Sequence, residues 1–164
     1  MSELKRLAKD AVPRALEKAE RYRLLNEPAE AESISIDVLA VDPENQQALV
    51  LLLLSLTDQL EHGVPDARAR EVLPRLKGEY ERAYYAGLIW ERKAKAIMRQ
   101  GSPGSGSRAY DALASAMECY ERAETLRPPA NDDAILRWNT CVRLLERHPH
   151  LAPAFEDRSE PPLE

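Results

Sequence analysis

The chain reads as all-α, with about seven helices paired into stacked hairpins. Three features point there. Positions one 34-residue step apart match in size: Tyr22, Leu56 and Trp90 are large, Ala19 and Gly87 are small around Leu53, and Ala15 and Ala83 flank Leu49. A fixed period of this length marks supersecondary units that hide their apolar faces against one another. The composition, rich in Ala, Leu, Glu and Arg with only 6 Gly, favours helix. Apolar residues also recur at three- and four-residue steps, broken by Pro- and Gly-bearing turns.

In chain order, Leu4, Leu7, Ala11, Leu16, Ala19 and Tyr22 give a first helix over 2–25, with Pro13 as a break or kink. Asn26-Glu27-Pro28 makes a turn, and Pro28 suits the first position of a second helix over 28–41. The third helix, 45–61, is nearly all Leu and forms the centre of the core. After a turn at His62-Gly63, Asp66 is placed to cap a short fourth helix over 65–77, interrupted by Pro74. A long fifth helix covers 78–100. The Gly/Ser segment 101–107 is expected to be a flexible loop. Helices over 108–126 and 132–147 complete a folded domain of residues 1–148. From Pro149 a Pro-rich acidic tail, 149–164, is expected to be disordered or draped on the surface.

Bulk properties narrow the function. A net charge of −5 argues against a general nucleic-acid binder, which displaces counterions with a basic surface. The first residues carry charge and no apolar leader, and the longest apolar run, Ala48 to Leu54, is too short for a bilayer, so no membrane role is expected. Cys119 and Cys141 are far apart without ligand spacing, which suits free thiols in the cytoplasm. His62, His148 and His150 lack partners at metal-ligand spacing. The glycines at 101–106 lack the Lys-Ser/Thr and leading strand of a phosphate loop. No catalytic residue, metal or cofactor is expected.

The order Ala19, Tyr22, Ala31, Val38, Pro43, and again Ala116, Tyr120, Ala123, Pro128, resembles the tetratricopeptide repeat (TPR) family. Gly87 and Trp90 take the small and aromatic places of a third unit, and 134–145, with Trp138-Asn139, looks like a following first helix. The resemblance spans roughly 12–147. It departs at Lys18, where an apolar residue is usual, at Pro65 and Pro74, and between Gly87 and Ala116, 29 positions where the pattern expects 12.

That resemblance implies a right-handed α–α superhelix and a non-enzymatic protein-interaction module that binds a partner peptide or helix in its concave groove. By position it puts Leu16, Glu20, Gln47, Val50 and Leu54 at or near the groove, followed by Tyr84, Tyr85, Leu88, Glu91 and Trp138. Arg92 and Lys95 lie one turn further. The alternative for Tyr84, Tyr85, Trp90 and Trp138 is hairpin core. The places that grip a chaperone's C-terminal carboxylate in some TPR domains hold Leu16, Glu20, Leu51, Leu54, Glu81 and Tyr85 here. None is basic, so that clamp is not expected.

The densest polar stretch, 127–140, has a structural reading in which Asn131 or Asp132 caps the last helix and Asp133 favours its positive end. It also has a functional one. Arg137, Asn139 and Arg143, with Glu91, Arg92 and Lys95, would form a charged end-wall recognising an acidic or amide-bearing segment. The binding set read from sequence is therefore Tyr84, Tyr85, Leu88, Glu91, Arg92, Lys95, Asn131, Asp133, Arg137, Trp138, Asn139 and Arg143. Another protein is the expected partner. The alternatives are a self-associating module such as a homodimer, a tail that lies in its own groove through Leu151 and Phe155, and a small-molecule-binding regulator.

Overall fold

A computed structural model describes residues 1–155 of the chain. Among these residues seven α-helices run in order: α1 Val12–Leu24, α2 Pro28–Val41, α3 Gln46–Thr57, α4 Asp66–Arg70, α5 Glu79–Gln100, α6 Ser105–Leu126 and α7 Asp133–Arg147. Single 3-10 turns sit at Lys9–Ala11, Leu60–His62 and Leu73–Arg75. No strand occurs among the described residues, and no helix there is long and apolar enough to cross a membrane. Sequence neighbours pack on one another, α1 on α2, α2 on α3, α5 on α6 and α6 on α7.

The first helix is shorter than its sequence periodicity predicts. It begins at Val12, with Pro13 in the opening turn where its missing N–H costs nothing. Residues 1–8 are not helical. Leu4 is exposed, whereas Leu7 still packs against the core. At the other end, Asn26 adopts a left-handed φ of 59°. Its N–H donates to the Arg23 carbonyl and that of Glu27 to the Tyr22 carbonyl, the paired bonds that close a helix C-terminus. Pro28 opens α2, as expected from sequence.

The Leu-rich α3 is enclosed on several sides. Leu49 and Leu53 are fully buried, Leu56 nearly so, and Asn45 Oδ1 accepts the Ala48 N–H to cap the helix. Its hydroxyls are satisfied locally, since Ser55 donates to the Leu51 carbonyl and Thr57 to that of Leu54, as Ser35 does to that of Ala31 on α2. The helix predicted over 65–77 breaks up into α4 and a 3-10 turn, because Pro74 lacks an N–H. Ala69, Val72 and Leu76 nevertheless stay buried. Asp66 is not a cap. It lies inside α4 and pairs with Arg70 (2.7 Å) and Lys93 (3.3 Å).

The Gly/Ser segment is also more ordered than its composition implies. Only 101–104 separates the two longest helices, with Gly101 and Gly104 at left-handed φ, and α6 already begins at Ser105. The α5–α6 pair then packs closely. A methyl group at Gly87 would meet the Tyr120 ring at 2.7 Å, so this crossing requires the absence of a side chain. After α7 the chain turns back at His148–Leu151, and Leu151 is buried against the α5–α7 core. Phe155 is fully exposed. The expectation of a draped or groove-bound tail therefore needs correcting at Leu151, which is a core residue. Its continuation from 156 lies outside the described residues.

Two apolar clusters result. One joins α1–α4 and includes Ile89 of α5; the other joins α5, α6, α7 and Leu151. The fifth helix contributes to both.

Candidate functional site

Three polar side chains, near the ends of α1 and α3 and in the middle of α5, come together. Arg23 Nε donates to Asp58 Oδ2 (2.7 Å) and its Nη2 to Oδ1 (3.3 Å), while Arg92 Nη1 donates to the same Oδ1 (2.9 Å). These residues are 35 and 34 positions apart. The carboxylate follows directly on α3, and Arg23 is in the last turn of α1. Both are helix C-termini, whose unpaired carbonyls favour cations. A short way along, Arg99 of α5 pairs with Glu61 (2.9 Å).

Together with Asn26, Thr57 and His62 these groups line an open cleft of about 490 Å³. Three guanidiniums face two carboxylates there, a local surplus of positive charge on a chain of net charge −5. The Arg23 and Arg92 side chains keep 22% and 33% of their surface exposed. Each therefore retains access for a further acceptor while Asp58 fixes its orientation. Tyr85, Leu88, Arg92 and Arg99 share one stripe of α5 at steps of three, four and seven, so the cleft ends a mixed apolar–cationic strip. Leu88 is buried, Tyr85 half-buried against the first core.

A second polar group differs from the sequence expectation. Glu91 was expected at a groove, but it is fully buried and anchors an internal network. It accepts from the Tyr120 hydroxyl (2.7 Å), from Lys95 Nζ (2.7 Å) and from Nε (3.1 Å) and Nη2 of Arg137. Burial by itself would raise the Glu91 carboxyl. The bonds from Lys95 and Tyr120 and the charge of Arg137 outweigh it and hold the group below its ordinary value. Burial, then the neighbouring Glu91 charge, pushes the Tyr120 phenol far up. Lys95 and Arg137 thus neutralise Glu91 and do not form an outward end-wall, while Arg92 points to a different neighbour, Asp58.

The remaining predicted residues separate as follows. Tyr84 is half-buried, stacked on Tyr80 (5.8 Å), edge-on to Tyr85 (5.1 Å) and beside Tyr120 (5.9 Å). Burial pushes the Tyr85 phenol up to about 12. Asn131 Oδ1 accepts the Asp133 N–H (3.0 Å) and the Tyr80 hydroxyl (3.4 Å), so of the two cap candidates it is Asn131 that bonds the start of α7. Asp133 and Arg143 are exposed and Asn139 half-buried. Trp138 lies with Tyr110, Met117 and Leu145 in a groove between α6 and α7. Trp90, a core candidate, is half-buried under Arg70, whose guanidinium carbon is 4.1 Å from the ring centre. Cys141 is buried, which pushes its thiol up to about 12 and keeps it neutral.

Of the cleft residues, sequence reading singled out Arg92 alone. Arg23, Asp58 and Arg99 were missed, although the 34-residue step from Asp58 to Arg92 was there to be read. Size matching reveals core positions and passes over charges that pair across units.

No family model, curated protein or solved structure matches the chain.

Proposed function

We propose that the chain is a non-enzymatic protein-interaction module, a TPR-like array that binds a segment of another protein across α1, α3 and α5. The segment's acidic side chain seats in the cleft between Arg23 and Arg92, and its apolar residues lie along the Tyr85 side. The observation that carries this reading is one carboxylate, Asp58, shared by two partly exposed guanidiniums from different helices. Asp58 orients both guanidiniums and uses only part of their five N–H donors each, and the local charge surplus draws an acid to the rest.

The reading is tested by fluorescence anisotropy with labelled peptides that alternate acidic and apolar residues. The unchanged chain binds them, and binding weakens as salt rises. Arg23→Ala with Arg92→Ala reduces affinity by about tenfold or more, the scale of losing charge-assisted bonds. Equal affinity for peptides in which Lys replaces each acid would reject the assignment. So would full binding by the double variant, with its helical content checked by circular dichroism.

A further inference from the structure

The two ends of the helical stack carry matching stripes. On α6, Tyr110, Ala114, Met117 and Glu121 recur at steps of four, three and four and form one wall of the α6–α7 groove, whose volume is about 250 Å³. Trp138 and Leu145 form the opposite wall, and Glu118 joins Glu121 at one end. At the other end of the molecule, Arg14, Lys18, Arg21 and Leu25 repeat the same four, three, four spacing along α1, beside Tyr22 and Glu17. Each stripe runs over three turns, about 16 Å at the helical rise. The stripe on α1 lies on a helix that packs chiefly on α2, and the outer wall of the α6–α7 groove is α7, which packs chiefly on α6.

We propose that these surfaces bind each other between copies, so that α1 of one molecule lies antiparallel to α6 in the α6–α7 groove of the next. Direction follows from where the charges fall. The α6 acids are at the C-terminal end of its stripe, and the α1 bases are toward the N-terminal end of theirs. Antiparallel alignment places Arg14 and Lys18 against Glu118 and Glu121, and Leu25, which is 62% exposed, against Tyr110 and Leu145. Lys18 and Arg21 then meet the face of Trp138, where cation–π attraction adds to the ion pairs. A parallel alignment sets Leu25 on the acids and forfeits both matches. The side chains to be mated carry three positive charges against one negative on α1, and two negative charges on the groove. Because the contact joins unlike surfaces, it is heterologous and propagates as a chain or closes as a ring. It uses none of the cleft residues Arg23, Asp58 or Arg92, so it stands or falls separately from the peptide-binding reading.

Sedimentation velocity of the full chain across a wide concentration range tests it. The weight-average mass rises with concentration, and rises further at low salt. Glu118→Lys with Glu121→Lys weakens the association by about tenfold or more, and so does Arg14→Glu with Lys18→Glu. All four side chains are exposed, so both variants retain the fold. Mixing the two variants restores association, since the reversed groove of one accepts the reversed helix of the other. A chain that stays monomeric at every concentration overturns the proposal. Charge-reversed variants that associate like the parent, or a mixture that stays monomeric, overturn it equally.

Discussion

A single carboxylate links side chains of α5, α6 and α7 beside the apolar cluster that joins those helices. Glu91 is fully buried, yet its oxygens receive bonds from Tyr120, Lys95 and Arg137, so the charge is matched where it is desolvated. Such a group stabilises the fold while ionised. Its folded pKa is lowered from the ordinary 4.5, so its contribution is present above that value and is lost as pH falls through the lower, folded value. Acidification below about 4.5 therefore erodes stability more steeply in the parent than in Glu91→Gln, whose amide does not titrate. Urea midpoints measured at several acid pH values check this, and parallel curves for the two proteins would contradict it. From sequence, Glu91 is one of many helical acids. Neither its depth nor its three donors can be read without knowing that Arg137 of α7 and Tyr120 of α6 reach it.

At the scale of elements, the helices whose stops are written in local chemistry were legible. Pro28, Asn45 and the Gly101–Gly104 turn act through their own φ angles and hydrogen-bonding atoms, and the helix starts at Pro28 and Gln46 and the helix end at Gln100 follow. The misjudged edges are ones that apolar spacing alone does not set. The apolar spacing of residues 4–11 is helical in pattern, but Pro13 sets the first turn of α1 and leaves Leu4 in solvent. Likewise, Leu151 sits in a segment whose proline content reads as tail, and it becomes core because the turn at His148–Leu151 brings it onto the second cluster. The close approach of the His150 carbonyl to Gly106, where a methyl group would meet it at 2.8 Å, fixes that segment in place. Leu151→Ala should thus cost about 2–5 kcal/mol, the range for emptying a buried leucine site. Chemical denaturation measures it. A loss below a few tenths of a kcal/mol would show that the segment does not stay docked.

Over the whole molecule, α5 is shared by the two apolar clusters, giving Ile89 to one and Ala83 and Ala94 to the other. A helix shared in this way couples its neighbours, since melting either cluster strips one face of α5. Leu53→Ala, a fully buried change in the first cluster, is therefore expected to shift thermal transitions seen by tryptophan fluorescence as well as by circular dichroism. Both tryptophans, Trp90 and Trp138, pack against the second cluster, so fluorescence reports from the far side. If the fluorescence midpoint stays at the parental value while the dichroism midpoint falls, the clusters unfold independently.

By itself the amino-acid order determined that the chain is helical, roughly where the helices turn, and which positions repeat in size. Those properties arise from residues within about one turn or one period of each other. The tertiary structure alone decided which charges meet. Asp58 gathers arginines from two other helices, Glu91 is neutralised inside, and Trp138 is left at an open groove. The reason is geometric: pairing across helices depends on crossing positions a few ångströms wide, and a helix carries the same local pattern whichever neighbour it meets.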